Sequence, residues 1–201
     1  MKPSSLITIE QALNRNVKVN WGWKTKEKGR SLTIRNEKLH TIYELVVIQD
    51  KQNSYDTLVR QEPNAPVVIP WYRKNGSIYV GLMHHWRPVP SIWSWEVPRG
   101  FGDPKVTGEE NAKRELREEW GQFGKLAKTG SFIANNGWDR SGHTVWAAEI
   151  DPTGQKKPME EPTEHIKDRK WFRFPDGLPE IKCGITSSAL FSFALYLGKQ
   201  G

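Results

Sequence analysis

A helix that begins at Thr107 and stops at Gly121 limits the architecture of this chain more than any other stretch. Thr107, followed three residues later by Glu110, makes a capping box: the hydroxyl accepts from a backbone N–H and the carboxylate reaches back to the cap. Gly121 stands where a helix ends. Between them Ala112, Leu116 and Trp120 recur every four residues as one apolar stripe. Glu115 and Glu119 recur on another stripe, with Glu118 beside them. Just upstream lie an aromatic strand, Trp93 to Val97, then Pro98-Arg99-Gly100, then a Gly/Pro loop that runs into the cap. The order is strand, glycine loop, acidic helix.

The residues alone leave two readings of the carboxylates open. One is a solvated face with i,i+4 pairs, each contributing roughly 0.2–0.5 kcal/mol. Arg114–Glu118 fits that reading, whereas Lys113–Arg117 is like-charged. The other is a site for a hard cation. Mg²⁺ takes oxygen ligands, few of them from protein, and completes its octahedron with water and substrate phosphate. Glu115 and Glu119, one turn apart, are the first choices as ligands, and Glu118 could bind metal, hold a water or take a proton.

Gly100 together with Arg114-Glu115-Leu116-Arg117-Glu118-Glu119-Trp120-Gly121 resembles the Nudix box, G-x5-E-x7-R-E-U-x-E-E-x-G-U with U bulky and apolar. Gly100, Arg114, Glu115, Leu116, Glu118, Glu119 and Gly121 match at the right spacing. Two positions depart: the first glutamate of the pattern is Val106, and its last apolar residue is Gln122. In the family that first glutamate pairs with the box arginine, so Arg114 must find another partner, with Glu118 and Glu110 each one turn away. The resemblance extends over residues 65 to 200 and is most like ADP-ribose pyrophosphatases, from the strands before "WEVPRG" to the closing helix after Gly184-Ile185-Thr186.

The resemblance implies an α/β fold, a Nudix-type α/β/α sandwich with a mixed central sheet plus a small N-terminal antiparallel β-sheet. It also implies Mg²⁺, with Mn²⁺ as a substitute, and a nucleotide substrate. Glu115 and Glu119 would hold metal, joined by the backbone carbonyl of Arg99. In the loop before the penultimate strand, Glu164 would be a further metal contact and Glu161 the base, with Glu118 the other catalytic carboxylate. Arg87 and Arg99 would bind substrate phosphate. Gly100, Arg114, Leu116 and Gly121 would be the structural part of the box. Asp139 is a further acidic candidate. His84 and His85 are neighbours on a strand and point to opposite faces, so they do not simply share a ligand.

Residues 1–62 read as a separate β section and 63–201 as the hydrolase domain. The first has strand character around Leu32–Ile34 and Thr41–Gln49, giving two or three antiparallel strands. In the resembling subfamily such a sheet makes a homodimer, and a small sheet cannot bury a face alone. Downstream, the pattern predicts strands over 66–70, 77–83, 93–97, 126–133, 142–150 and 169–174, and helices over 107–120 and 185–198. Asn75-Gly76 marks a hairpin. The last helix has Leu190, Phe193, Ala194 and Leu197 on one side and little charge, and reads as buried.

The formal net charge of +7 suits a polyanion partner. A phosphorylated small molecule is the leading choice and nucleic acid the weaker one, although basic and aromatic residues interleave over 17–30. A single cysteine, Cys183, excludes a disulfide framework and a cysteine-rich zinc site. No apolar run approaches the ~20 residues that span a bilayer, and the expected location is the cytoplasm. The expected function is hydrolysis of a nucleoside diphosphate linked to another group, with ADP-ribose to AMP and ribose 5-phosphate first. A nucleotide sugar or an RNA 5′ end is an alternative substrate. An inactive nucleotide-binding module, marked by Val106 and Gln122, is the alternative outside the enzyme class.

Overall fold

The computed structural model describes residues 17–21, 32–36, 40–50, 53–154, 158–159 and 165–200. Its first four strands are β1 (Val17–Trp21), β2 (Leu32–Asn36), β3 (Thr41–Asp50) and β4 (Asn53–Gln61). They form an antiparallel sheet in the order β1-β2-β3-β4. The sequence predicts two or three strands here, with strand character around Leu32–Ile34 and Thr41–Gln49; the sheet has four, and β1 and β4 lie outside those two stretches.

The central sheet is built from β5 (Ala65–Lys74), β6 (Ser77–Arg87), β7 (Ile92–Glu96), β8 (Lys125–Phe132), β9 (His143–Glu149) and β10 (Ile166–Phe174). Its order is β10-β6-β5-β9-β8, with β7 also on β6. β5 and β9 run parallel and the other pairs antiparallel, so the sheet is mixed. The apolar run of β5 explains its central place, since a strand covered on both faces carries no polar alternation. Val67 and Ile69 enter one core and Val68 the other, all three with no exposure. Asn75 (φ 49°) and Gly76 (φ 74°) adopt left-handed backbone and close the β5–β6 hairpin.

One face of the sheet is covered by helix α1 (Gly108–Glu115) and the π-helical turn that continues it, Leu116–Trp120. Ala112, Leu116 and Trp120 pack there with Val68, Met83, Ala148 and Ile150. Gly81 permits this approach, because a Cβ on it would lie 2.6 Å from the Trp120 ring. The other face is covered by α2 (Gly184–Gly198), through Ala189, Leu190 and Phe193. The result is an α/β/α sandwich. The closing helix departs from the sequence expectation on its outer side. Ala194 is exposed and Leu197 half-buried, while Phe191 and Leu195 are 65% and 54% exposed. Low charge made the whole helix look internal, but only one stripe of it faces the sheet. None of the described helices is long and apolar enough to cross a membrane.

Strand β6 changes partner halfway along, and this positions the loop that follows β7. Its first half pairs with β5 (Trp71 opposite Val80) and its second with β7 (Met83 opposite Glu96). The chain leaving β7 then returns to β5. Val68 donates to the Pro98 carbonyl at 2.8 Å, and Val67 and Arg99 form an isolated bridge. Residues 99–106 are thereby held between the sheet and α1.

Candidate active site

The helix begins as its sequence demands. The Thr107 hydroxyl accepts from the Glu110 N–H at 3.2 Å, and Glu110 Oε2 accepts from the Thr107 N–H at 2.8 Å. Its last turn widens: the Gly121 N–H reaches the Leu116 carbonyl, five residues back, at 3.1 Å. Such i→i+5 turns are rare and often sit at functional positions. Gly121, at φ 80°, ends it in left-handed backbone that a side chain would disfavour.

Glu115 and Glu119 do not form the solvated face that is one reading of their stripe. They are 6% and 1% exposed, because the loop after β7 folds over them. The Arg99 N–H donates to Glu119 Oε2 at 2.7 Å. Gly100 lies so close to Glu115 that a Cβ there would collide with the carboxylate, which explains glycine at this position. Glu118 is less covered, its side chain 30% exposed, and stands 3.7 Å from Arg114 Nε. From β10, Arg169 Nε donates to the Glu119 carbonyl at 2.5 Å, holding the end of the helix to the sheet.

Arg114 is anchored despite Val106. Its Nη2 donates to the Phe101 carbonyl at 2.6 Å and to Glu115 Oε1 at 2.7 Å. The expected substitute, Glu118, is the more distant partner, and Glu110 is engaged at the cap. Val106 is 43% exposed and fills no core gap. The loop is tied instead by Asn111, 3% exposed, which accepts from the Asp103 N–H at 2.8 Å and donates to the Asp103 carbonyl at 3.0 Å. Gln122 is also accommodated inside: it accepts from Trp120 Nε1 at 3.1 Å and donates to the Asp151 carbonyl at 3.2 Å.

A second cluster lies beside the box loop. Glu96, 1% exposed, receives Arg87 and Arg99 together. Arg87 Nε lies 3.0 and 3.1 Å from its two oxygens and Nη2 lies 2.6 Å from Oε2. Arg99 approaches the same Oε2 with Nε at 3.2 Å and Nη2 at 3.0 Å. Burial alone would raise the pKa of Glu96, but the hydrogen bond from Arg87 and the two guanidinium charges outweigh it and hold the carboxyl at about 2. Burial likewise opposes the charge on Arg87. The hydrogen bond to Glu96 and the charges of Glu96 and Glu119 overcome it, so its pKa is raised. Glu119 is thus within electrostatic reach of Arg87, and Arg87, Arg99 and the box carboxylates share one end of the sheet. His85, opposite Ser94 on β7, is pushed down to about 4 by burial first and then by Arg87, and is neutral near pH 7.

Of the remaining candidates, Glu161 and Glu164 lie outside the described residues. Asp139 is 7% exposed and structural in its contacts: it accepts from Arg60 Nη2 at 2.9 Å and from the Ser141 N–H at 2.9 Å. His84 stacks on Trp95 at 4.6 Å, away from His85, as strand alternation requires. Glu96, Asn111 and Arg169 were not singled out from sequence. The signal for Glu96 was there: an acidic residue alternating with tryptophans in a strand has no apolar reason to be inside, so it needs cationic partners.

Among the described residues no three His, Cys, Asp or Glu converge on one point. The donor set nevertheless fits a divalent cation of the hard type. Two buried carboxylates, Glu115 and Glu119, lie against a backbone segment at Arg99–Gly100, with Glu118 adjacent, and every donor is oxygen.

The family model described as "NUDIX domain" matches residues 62–183. No curated protein matches the chain. Among solved structures, an ADP compounds hydrolase superposes with a TM-score of 0.58 at 16% identity, covering 92% of this chain and 94% of its own. The NUDIX domain of Shewanella oneidensis NrtR complexed with ADP ribose gives 0.51 at 16% identity, over 68% of this chain and 88% of its own. A C. elegans Ap4A hydrolase binary complex gives 0.52 at 19% identity, over 69% and 98%. At these identities the likeness concerns the fold.

Proposed function

The chain belongs to the Nudix family of pyrophosphohydrolases, and on that premise we propose that it uses Mg²⁺, or Mn²⁺ in its place, to split the diphosphate of ADP-ribose into AMP and ribose 5-phosphate. The observation that carries this reading is the pair of buried carboxylates, Glu115 and Glu119, beneath the Arg99–Gly100 segment, with Arg87 and Arg99 beside them. Glu115, Glu119, Glu164 and the Arg99 carbonyl would hold the metal. When bound, it would lower the pKa of a water and offset phosphate charge.

The chain's own side chains do the rest. Arg87 and Arg99 receive the phosphoryl oxygens, each with about a quarter of its side chain exposed. Glu161 takes the proton of the attacking water, and Glu118 orients that water or a metal ligand. Gly100, Arg114, Leu116 and Gly121 keep the loop and helix in register. Two of the superposing structures carry names that speak of ADP-ribose and ADP compounds, which supports an ADP-linked substrate.

We also propose that residues 1–62 join two copies into a homodimer, since a small sheet needs a further surface on which to bury a face. A cytoplasmic location accords with the lone, unbonded Cys183. The discriminating experiment is a substrate panel with Mg²⁺: ADP-ribose, nucleotide sugars, diadenosine polyphosphates and 5′-triphosphate RNA. The expected preference is ADP-ribose. A higher kcat/KM for any other member would replace the substrate, and no turnover of any would favour the inactive binding module.

A further inference from the structure

The Arg87–Glu96–Arg99 cluster has an imbalance that stability does not explain. One carboxylate, its side chain 2% exposed, sits between two guanidiniums whose side chains are 26% and 25% exposed. Buried ion pairs roughly break even against apolar residues of similar volume, so two guanidiniums gathered on one carboxylate, with the charge of Glu119 also acting on Arg87, are a poor stabilising device. Two partly exposed guanidiniums held at the mouth of a buried anion are what an external anion would engage. The donors are arranged for that. Both arginines turn Nε and Nη2 toward Glu96, which leaves the Nη1 edge of each without a contact to that carboxylate. The peptide N–H of Arg99 simultaneously holds Glu119 at 2.7 Å. Glu96 therefore sets the separation of the two guanidiniums from each other and from the box carboxylates.

We infer that Glu96 is a positioning residue: it orders Arg87 and Arg99 as a two-pronged receptor for the diphosphate of the substrate. The inference rests on the reading of the two arginines as phosphate-binding. It makes a prediction opposite to that of simple charge counting. Replacing Glu96 with glutamine removes one negative charge from the site, which by charge alone would tighten anion binding. Removing the anchor frees two long side chains that a ligand must then immobilise, and it leaves two cations repelling each other. The ordering cost acts directly at the contact, while the change in charge is partly screened by water, so the loss dominates.

The test is calorimetric titration of wild-type protein, Glu96→Gln and Glu96→Asp with ADP-ribose and with inorganic pyrophosphate, without added divalent metal, alongside KM and kcat with Mg²⁺ and a thermal melt. Glu96→Gln is expected to weaken both ligands on the order of tenfold, the ordering cost of two side chains, and to raise KM more than it lowers kcat. Glu96→Asp keeps the charge and shifts the anchor, so it is expected to fall between the two and covers the case in which the glutamine variant does not fold. Unchanged or tighter binding in a folded variant, with wild-type binding present, would overturn the inference alone. A lowered melting temperature with affinities and KM intact would overturn it as well, by making the cluster structural. Wild-type protein that binds neither ligand would overturn both the inference and the functional reading beneath it.

Discussion

His85 and His143 are 5% and 3% exposed, and their burial has a consequence in pH. Burial first, then the charge of Arg87 on His85 and of Arg99 on His143, lowers both from 6.5 to about 4. In the unfolded chain each imidazole takes up a proton near 6.5, whereas in the folded chain it does so only near 4. The stability held by the neutral rings is therefore complete above about pH 6.5 and is lost as pH falls from there to about 4, on the order of 3 kcal/mol per histidine. Melting temperatures across that window are expected to fall steadily, and less steeply in His143→Gln. A level melting temperature down to about pH 4.5 would contradict the buried, neutral assignment.

At the scale of single elements, the box loop and its helix show what the sequence made legible. The cap at Thr107, the stop at Gly121, the hairpin at Asn75-Gly76 and the apolar stripe of α1 are local signals, read from residues a few positions apart. They reappear in the structure within a few residues of where they were expected. The burial of Glu115 and Glu119, which decides between a solvated face and a cation site, is not legible in the helix because it depends on where a different segment, 99–106, comes to rest. Asn111 is not legible for the same reason, since its partner Asp103 is eight residues away, and for Glu96 one partner, Arg99, is three residues on while the other, Arg87, lies on β6. Asn111→Ala should cost about 1–3 kcal/mol, because it removes the two hydrogen bonds that a buried side chain makes to the half-buried backbone of Asp103 and leaves the Asp103 N–H without that acceptor. Val106→Glu, at an exposed position and with Arg114 already bonded to Phe101 and Glu115, should change stability by no more than about 1 kcal/mol. Thermal or urea denaturation of the two variants checks both. A larger loss in Val106→Glu than in Asn111→Ala would contradict the assignment of Asn111 as the tie of the loop.

Over the whole molecule, two sheets share one chain and are joined where β4 meets the loop between β8 and β9. The Arg60 N–H donates to the Trp138 carbonyl at 2.7 Å, the Arg140 N–H donates to the Arg60 carbonyl at 2.8 Å, and Arg140 Nη1 lies 3.2 Å from Glu44. If residues 1–62 bring two copies together, sedimentation at micromolar concentration should report a dimer, and a monomer there would contradict the proposed assembly. The proposed activity requires the carboxylates of one helix to act on a phosphorus anhydride. Its most direct test is product analysis by anion exchange after incubation of ADP-ribose and Mg²⁺ with wild-type protein and with Glu119→Gln. That variant keeps an acceptor oxygen for the Arg99 N–H and removes the charge. AMP and ribose 5-phosphate are expected from the wild type, none above background from the variant, and equal melting of the two. The same products at an undiminished rate from a folded Glu119→Gln would contradict it.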